Sequence, residues 1–134
     1  MFSLKPLAIA SILALLTPLA AAQQTTPALQ LATYVTQSGQ PAQAAHGQDF
    51  FTAKHGKEWS CSSCHTANPT ADGKHAATGK LIAPMAPAAN DKRFTDAAKT
   101  EKWFRRNCND VVGRECSASE KADVLAWLLS LNPS

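Results

Sequence analysis

In "CSSCHT", Cys61 to Thr66, two thiols lie three positions apart and an imidazole follows the second directly. Thiols at that spacing can add to the two vinyl groups of haem, and the adjoining histidine is then placed to coordinate the iron from one face. Cys61 and Cys64 are therefore the expected thioether anchors of one covalently attached haem c, with His65 as its proximal iron ligand. Three other chemistries use a bare C-x-x-C: a thioredoxin-like redox pair, half of a zinc site, or a disulfide. The redox pair wants a βαβ setting that is missing. Zinc wants two more ligands at tight spacing, where this chain has only scattered histidines.

A proximal histidine leaves the opposite axial position of the iron open to several donors, and the donor there sets what the iron can do. Met85, in "APMAP", offers a thioether, a soft ligand that favours ferrous iron and makes an electron-transfer cytochrome; it reads equally well as a core methionine against the haem edge. His46, His55 and His75 could each complete a bis-histidine haem, yet each reads more simply as a surface residue. Asn107, in "RRNC", reads from its position alone as a helix C-cap, because asparagine tolerates left-handed backbone geometry.

The elements that must hold these residues are helical. Thr26 is the expected N-cap of a first helix with Pro27 at its first position and Gly39 as its stop, and a second helix is expected from Pro41 to about Lys54. In the second, Gly47 and Phe51 share one face, and that helix is expected to pack against the last one. Thr66 to Asn90 contains Pro69, Gly73, Gly79, Pro84 and Pro87 and reads as a loop wrapped around a large flat ligand. A third long helix is expected to be capped by Thr95, with Asp96 in its first turn and Arg105 and Arg106 in its last. The final helix begins at a capping box of Ser117 and Glu120, runs to about Leu131, and carries Val124, Leu125, Leu128 and Leu129 as an apolar stripe. No segment alternates with period two, so the expected class is all-α. Trp103, Trp127, Phe104 and Phe51 are expected in the core or the haem wall.

The chain opens "MFSLKPLAIASILALLTPLAAAQQ", where Lys5 precedes an apolar run ending in small residues. That is the pattern of a secretory signal peptide over residues 1–22, with cleavage after Ala22; the run is too short to span a membrane. Removal leaves 112 of the 134 residues, 23–134, as one domain, and lowers the net charge from +3 to +2. Such a balance argues against nucleic acid or a membrane surface as partner, although Lys99, Lys102, Arg105 and Arg106 could meet an acidic one. All four cysteines fall in the exported part, where unprotected thiols are oxidised, so a reduced zinc site is disfavoured and a soluble periplasmic protein is expected.

The stretch "GKLIAPMAPAANDKRFTDAAKTEKWFRRNCNDVVGRECSASEKADVLAWLL", Gly79 to Leu129, closely resembles the sphaeroides haem protein (SHP) family of class I monohaem cytochromes c, and the similarity continues more weakly to the first helix. The resemblance implies a class I cytochrome c fold with an extra N-terminal helix. It implies His65 as proximal ligand, Asn107 as distal ligand, and a disulfide between Cys108 and Cys116. A related branch, cytochrome c″, has histidine where this chain has Asn107, and the position of Met85 is not a ligand in the resembled family. The family's asparagine dissociates on reduction and small diatomic ligands bind. The implied partners are therefore dioxygen, nitric oxide or carbon monoxide, with a dihaem cytochrome c as electron donor. Three classes of function follow for comparison: an electron shuttle with permanent ligation, a ligand-binding haem protein or oxygen- or nitrogen-oxide-handling oxidoreductase, and a purely structural exported domain.

Overall fold

A computed structural model describes Met1 and residues 24–132 of the chain; the expected signal peptide and its cleavage site lie outside the described residues. In chain order the elements are α1 (Pro27–Ser38), α2 (Ala44–Thr52), α3 (Ser62–His65), β1 (Gly73–Lys74), β2 (Leu81–Ile82), α4 (Ala97–Val111) and α5 (Ala118–Ser130). The expected all-α class holds, with one addition. Inside the long loop after the C-x-x-C-H, β1 and β2 pair antiparallel, Gly73 opposite Ile82 and Lys74 opposite Leu81. Two residues per strand are too few to show as alternation in the sequence.

Local chemistry sets the helix ends. Thr26 caps α1 by accepting a hydrogen bond from the Leu29 N–H, and Gly39 closes it at φ 68°, a left-handed conformation that glycine adopts without strain. The capping box of α5 is complete: Ser117 accepts from the Glu120 N–H, and the Glu120 carboxylate accepts from the Ser117 N–H. Three expected boundaries shift. The second helix starts at Ala44 rather than Pro41, because Gln43 stays extended while its N–H donates to Asp123 Oδ1 of α5 at 2.7 Å. α4 is capped by Asp96 rather than Thr95: the Asp96 carboxylate accepts from the Lys99 N–H, and the Thr95 hydroxyl donates to Lys92 O. α4 also continues beyond Asn107 to Val111, so Arg105 and Arg106 lie before its last turn.

α5 is the element on which α1 and α2 both pack. Tyr34 of α1 is buried with Ala122 and Leu125, and Phe51 of α2 is buried with Val124, Trp127 and Leu128. The buried face of α5 differs from the expected stripe: Leu129 is exposed, while Ala122, Asp123 and Trp127 are turned inward. Trp103 is 45 % exposed and so outside the core, but it lines the cavity described below, as the wall reading expects. Asp123 is buried, and its acceptance from Gln43 fastens the start of α2 to α5. α4 is held from the other side. Its Glu101 accepts from the Tyr34 hydroxyl at 2.6 Å and from Lys121 Nζ at 2.7 Å, while Gln30 Nε2 donates to Thr100 Oγ1 at 3.2 Å. Burial alone would raise the Glu101 carboxyl, but those two hydrogen bonds and the Lys121 charge hold it below the usual range.

α2 and α5 approach backbone to backbone at Gly47. A Cβ at that position would run into the carbonyl of Asp123 and the N–H of Val124, both main-chain atoms that cannot step aside. Gly47→Ala gains up to about 1 kcal/mol of helix propensity and loses about 3 kcal/mol or more to overpacking. The clash wins, so the holoprotein variant is expected to unfold at a lower denaturant midpoint with an unchanged slope.

Candidate haem-binding site

A cavity of about 980 Å³ lies between these helices, lined by Cys61, Cys64 and His65 of α3, Phe51 of α2, Asn107 of α4 and Leu128 of α5. Its volume is at the upper end of the range for small-molecule and cofactor sites, about 300–1,000 Å³. Such a volume suits one porphyrin. The lining includes the two thiols and the adjoining imidazole that a c-type haem would need, together with the Asn107 carboxamide, the Met85 thioether and a second imidazole, His75.

The C-x-x-C-H stretch folds as the single turn α3, which the chain leaves sharply after His65. Thr66 takes φ 62° and ψ 164°, a region nearly reserved for glycine that costs about 1–3 kcal/mol for other residues. The turn is held by the Thr66 hydroxyl, which donates to Asn68 O at 2.6 Å and accepts from the Asn68 N–H at 3.2 Å. The chain then returns so that β1 crosses directly over α3. A Cβ on Gly73 would collide with the Cys64 carbonyl, and the Ala76 N–H donates to Cys64 Sγ at 3.3 Å. The loop thus packs the anchor turn from outside.

Cys61 and Cys64 are not bonded to each other. Burial pushes the Cys61 thiol up to about 11, opposite to the lowered value that makes a thiol a redox nucleophile. Among the described residues no three of His, Cys, Asp and Glu gather into a metal-binding set that would complete a tetrahedral zinc site around the two sulfurs. His65 is lowered to about 4, first by burial and then by the charge of Arg93, so its ring is neutral at physiological pH with a nitrogen lone pair ready for a metal. Phe51 lies beside that ring at 6.1 Å between centroids and in turn packs at a tilt against Trp127 at 5.1 Å.

Asn107 does not cap its helix, contrary to the reading from position. Val112 ends α4, and the Val112 and Gly113 N–H groups both donate to Cys108 O, with Gly113 at φ 82° supplying the left-handed residue. Asn107 is half-buried one turn earlier and lines the cavity. The adjacent Cys108 is disulfide-bonded to Cys116, Cα to Cα 5.6 Å, tying this part of α4 to the start of α5.

The remaining candidates separate clearly. His46 is exposed on α2, and the His55 ring bonds Phe50 O at 2.8 Å; neither lines the cavity. His75 is half-buried and does line it, which corrects its reading as a surface residue; its Nδ1 accepts from the Thr78 N–H at 3.2 Å. Met85 lines the cavity while packing against the cluster of Phe51, Val124, Trp127 and Leu128. Trp59 and Arg93, which no spacing singles out, are lining residues as well.

Comparison with known proteins finds relatives of the chain. A family model described as a domain of unknown function, DUF1924, matches residues 37–128. The cytochrome c-type protein SHP of Cereibacter sphaeroides is 50 % identical over 113 residues, 81 % of this chain and 87 % of that protein. The structure of oxidised SHP, an oxygen-binding cytochrome c, superposes with a TM-score of 0.76 at 47 % identity, covering 81 % of this chain and 99 % of that one. The solution structure of cytochrome c″ from Methylophilus methylotrophus, reported for insights into haem-ligand detachment, superposes with a TM-score of 0.68 at 41 % identity, covering 78 % and 93 %.

Proposed function

Because this chain belongs to the family of c-type cytochromes that includes SHP and cytochrome c″, we propose that it is an exported monohaem cytochrome c whose sixth ligand, Asn107, leaves on reduction so that a small diatomic molecule can bind. The observation that carries the reading is the shared cavity. Asn107, freed from any capping duty, lines the same space as Cys61, Cys64 and His65. In this reading the two cysteines hold the cofactor through thioethers and His65 is the proximal ligand.

Haem c supplies a one-electron iron couple and an axial site for dioxygen, nitric oxide or carbon monoxide. The protein's part is to choose when that site is open. The Asn107 carboxamide presents a hard, neutral oxygen, a tolerable donor to ferric iron and a poor one to the softer ferrous state. It is therefore expected to hold in the oxidised form and release in the reduced one. The disulfide keeps the released side chain close, where its amide can hydrogen-bond a diatomic ligand. On the chain-entropy model the same bridge contributes about 2–3 kcal/mol by constraining the unfolded state.

Among the described residues no helix is long and apolar enough to cross a membrane. Export to the periplasm rests on the pattern of residues 1–22, and a dihaem cytochrome c as donor rests on the family resemblance. The competing account is a permanent electron carrier with Met85 as sixth ligand, which its place in the cavity wall keeps in contention. One absorption series separates them. The proposed reading expects the reduced protein to be high-spin and to shift on adding carbon monoxide; a low-spin reduced spectrum indifferent to carbon monoxide would leave an electron shuttle.

A further inference from the structure

Arg93 lies between β2 and α4, half-buried in the wall of the cavity. Its Nε donates to Pro84 O at 2.8 Å and its Nη2 to Ala83 O at 2.6 Å. Those bonds fix the plane of the guanidinium but leave its charge uncompensated. The ion pairs among the described residues join Arg105 to Glu115, Arg114 to Glu120 and Lys121 to Glu101, and Arg93 takes part in none. The cavity's other cationic lining residues, Lys80, Lys92, Lys99 and Arg106, are exposed and can be solvated by water. Among the described residues, only Arg93 brings a half-buried, unpaired cation to this wall.

A buried charge is costly unless paired, and burial lowers the Arg93 pKa accordingly. The acidic residues along the cavity do not relieve it: Asp96 caps α4, Glu120 is held by Arg114, and Asp110 is exposed. Arginine's planar fork is matched to a carboxylate, and with Nε and Nη2 committed, Nη1 has no protein partner among the described residues. Resting on the haem reading above, we propose that Arg93 is the carboxylate-binding residue of this cavity and pairs with a propionate of the haem. The carbonyls of Ala83 and Pro84 act as a brace that aims the guanidinium, so one side chain links the loop carrying Met85 to the cofactor. A cation held there also disfavours the added positive charge of ferric iron and so raises the reduction potential.

The test compares holoprotein forms of wild type, Arg93→Gln, Arg93→Lys and Lys92→Gln, with covalent haem verified in each by its haemochrome spectrum. Lys92→Gln removes the same charge from an exposed neighbour. At a fixed ambient potential, Arg93→Gln is expected to raise the ferric-to-ferrous ratio about tenfold, equivalent to about 59 mV for one electron. Lys92→Gln is expected to raise it less than twofold, and Arg93→Lys to fall between the two. Equal shifts for Arg93→Gln and Lys92→Gln overturn the assignment while leaving the haem reading intact; a wild-type protein without a haemochrome band removes both. If Arg93→Gln does not fold, wild-type magnetic resonance decides. In the diamagnetic reduced protein with carbon monoxide added, contacts between the Arg93 guanidinium protons and the propionate methylenes are expected, and their absence overturns the proposal.

Discussion

Replacing Cys61 and Cys64 together by serine is expected to leave a chain that retains no haem after acid extraction and has no cooperative unfolding transition. The first result follows from the chemistry of the thioether, which serine cannot form. The second follows from volume. A cavity of about 980 Å³ with nothing to fill it would cost about 24 kcal/mol at the rate measured for cavities left by core truncations. A domain of this size is stable by only about 5–15 kcal/mol. The walls would have to collapse inwards or flood, and either outcome destroys the arrangement of α2, α3 and α4 around the cavity. Circular dichroism with thermal unfolding checks this: weak helicity and no sharp transition are expected, and a native-like, cooperatively melting double variant would refute it.

The second large effect is at Asn107. Its carboxamide is proposed as a ligand that iron keeps in one oxidation state and drops in the other, so the substitution to choose is one that reverses that preference. Asn107→Met supplies a soft thioether, which binds ferrous iron well. It is expected to lower the carbon monoxide affinity of the reduced protein at least tenfold, about 1.4 kcal/mol, and to give a low-spin reduced spectrum. Asn107→Ala removes the donor. The ferric variant is expected to take up cyanide at least tenfold faster than wild type, because no side chain has to leave first. If Asn107→Ala binds cyanide at the wild-type rate and Asn107→Met binds carbon monoxide with wild-type affinity, Asn107 is not on the iron.

The residues that do local chemistry were the ones the sequence disclosed best. Thr26, Ser117 with Glu120, and Gly39 announce helix ends because their side chains, or the lack of one, act within a turn. Gly47 was legible as a packing residue because its face is shared with Phe51, and the collision awaiting any Cβ there gives the reason. The C-x-x-C-H pointed to haem through its spacing, its adjoining histidine and the absence of a setting for the competing chemistries.

What the sequence hid depends on distant partners. The start of α2 is delayed because Gln43 bonds Asp123, 80 positions away, which no local pattern encodes. Asn107 looked like a cap because the true stop, Gly113, lies six positions on, beyond a cysteine committed to a disulfide. Only the resemblance to the SHP family drew attention to that asparagine. Arg93 passed unnoticed in "NDKRF" for the same reason: its significance comes from two loop carbonyls and from taking part in no ion pair among the described residues, both properties of the folded wall.

The most direct measurement is the crystal structure of the ferric holoprotein, repeated after reduction in the crystal. The account predicts the Asn107 carboxamide oxygen on the iron opposite His65 in the oxidised form, and withdrawn from it in the reduced one. Sulfur from Met85 or an imidazole opposite His65, or an asparagine bond that survives reduction, would contradict it.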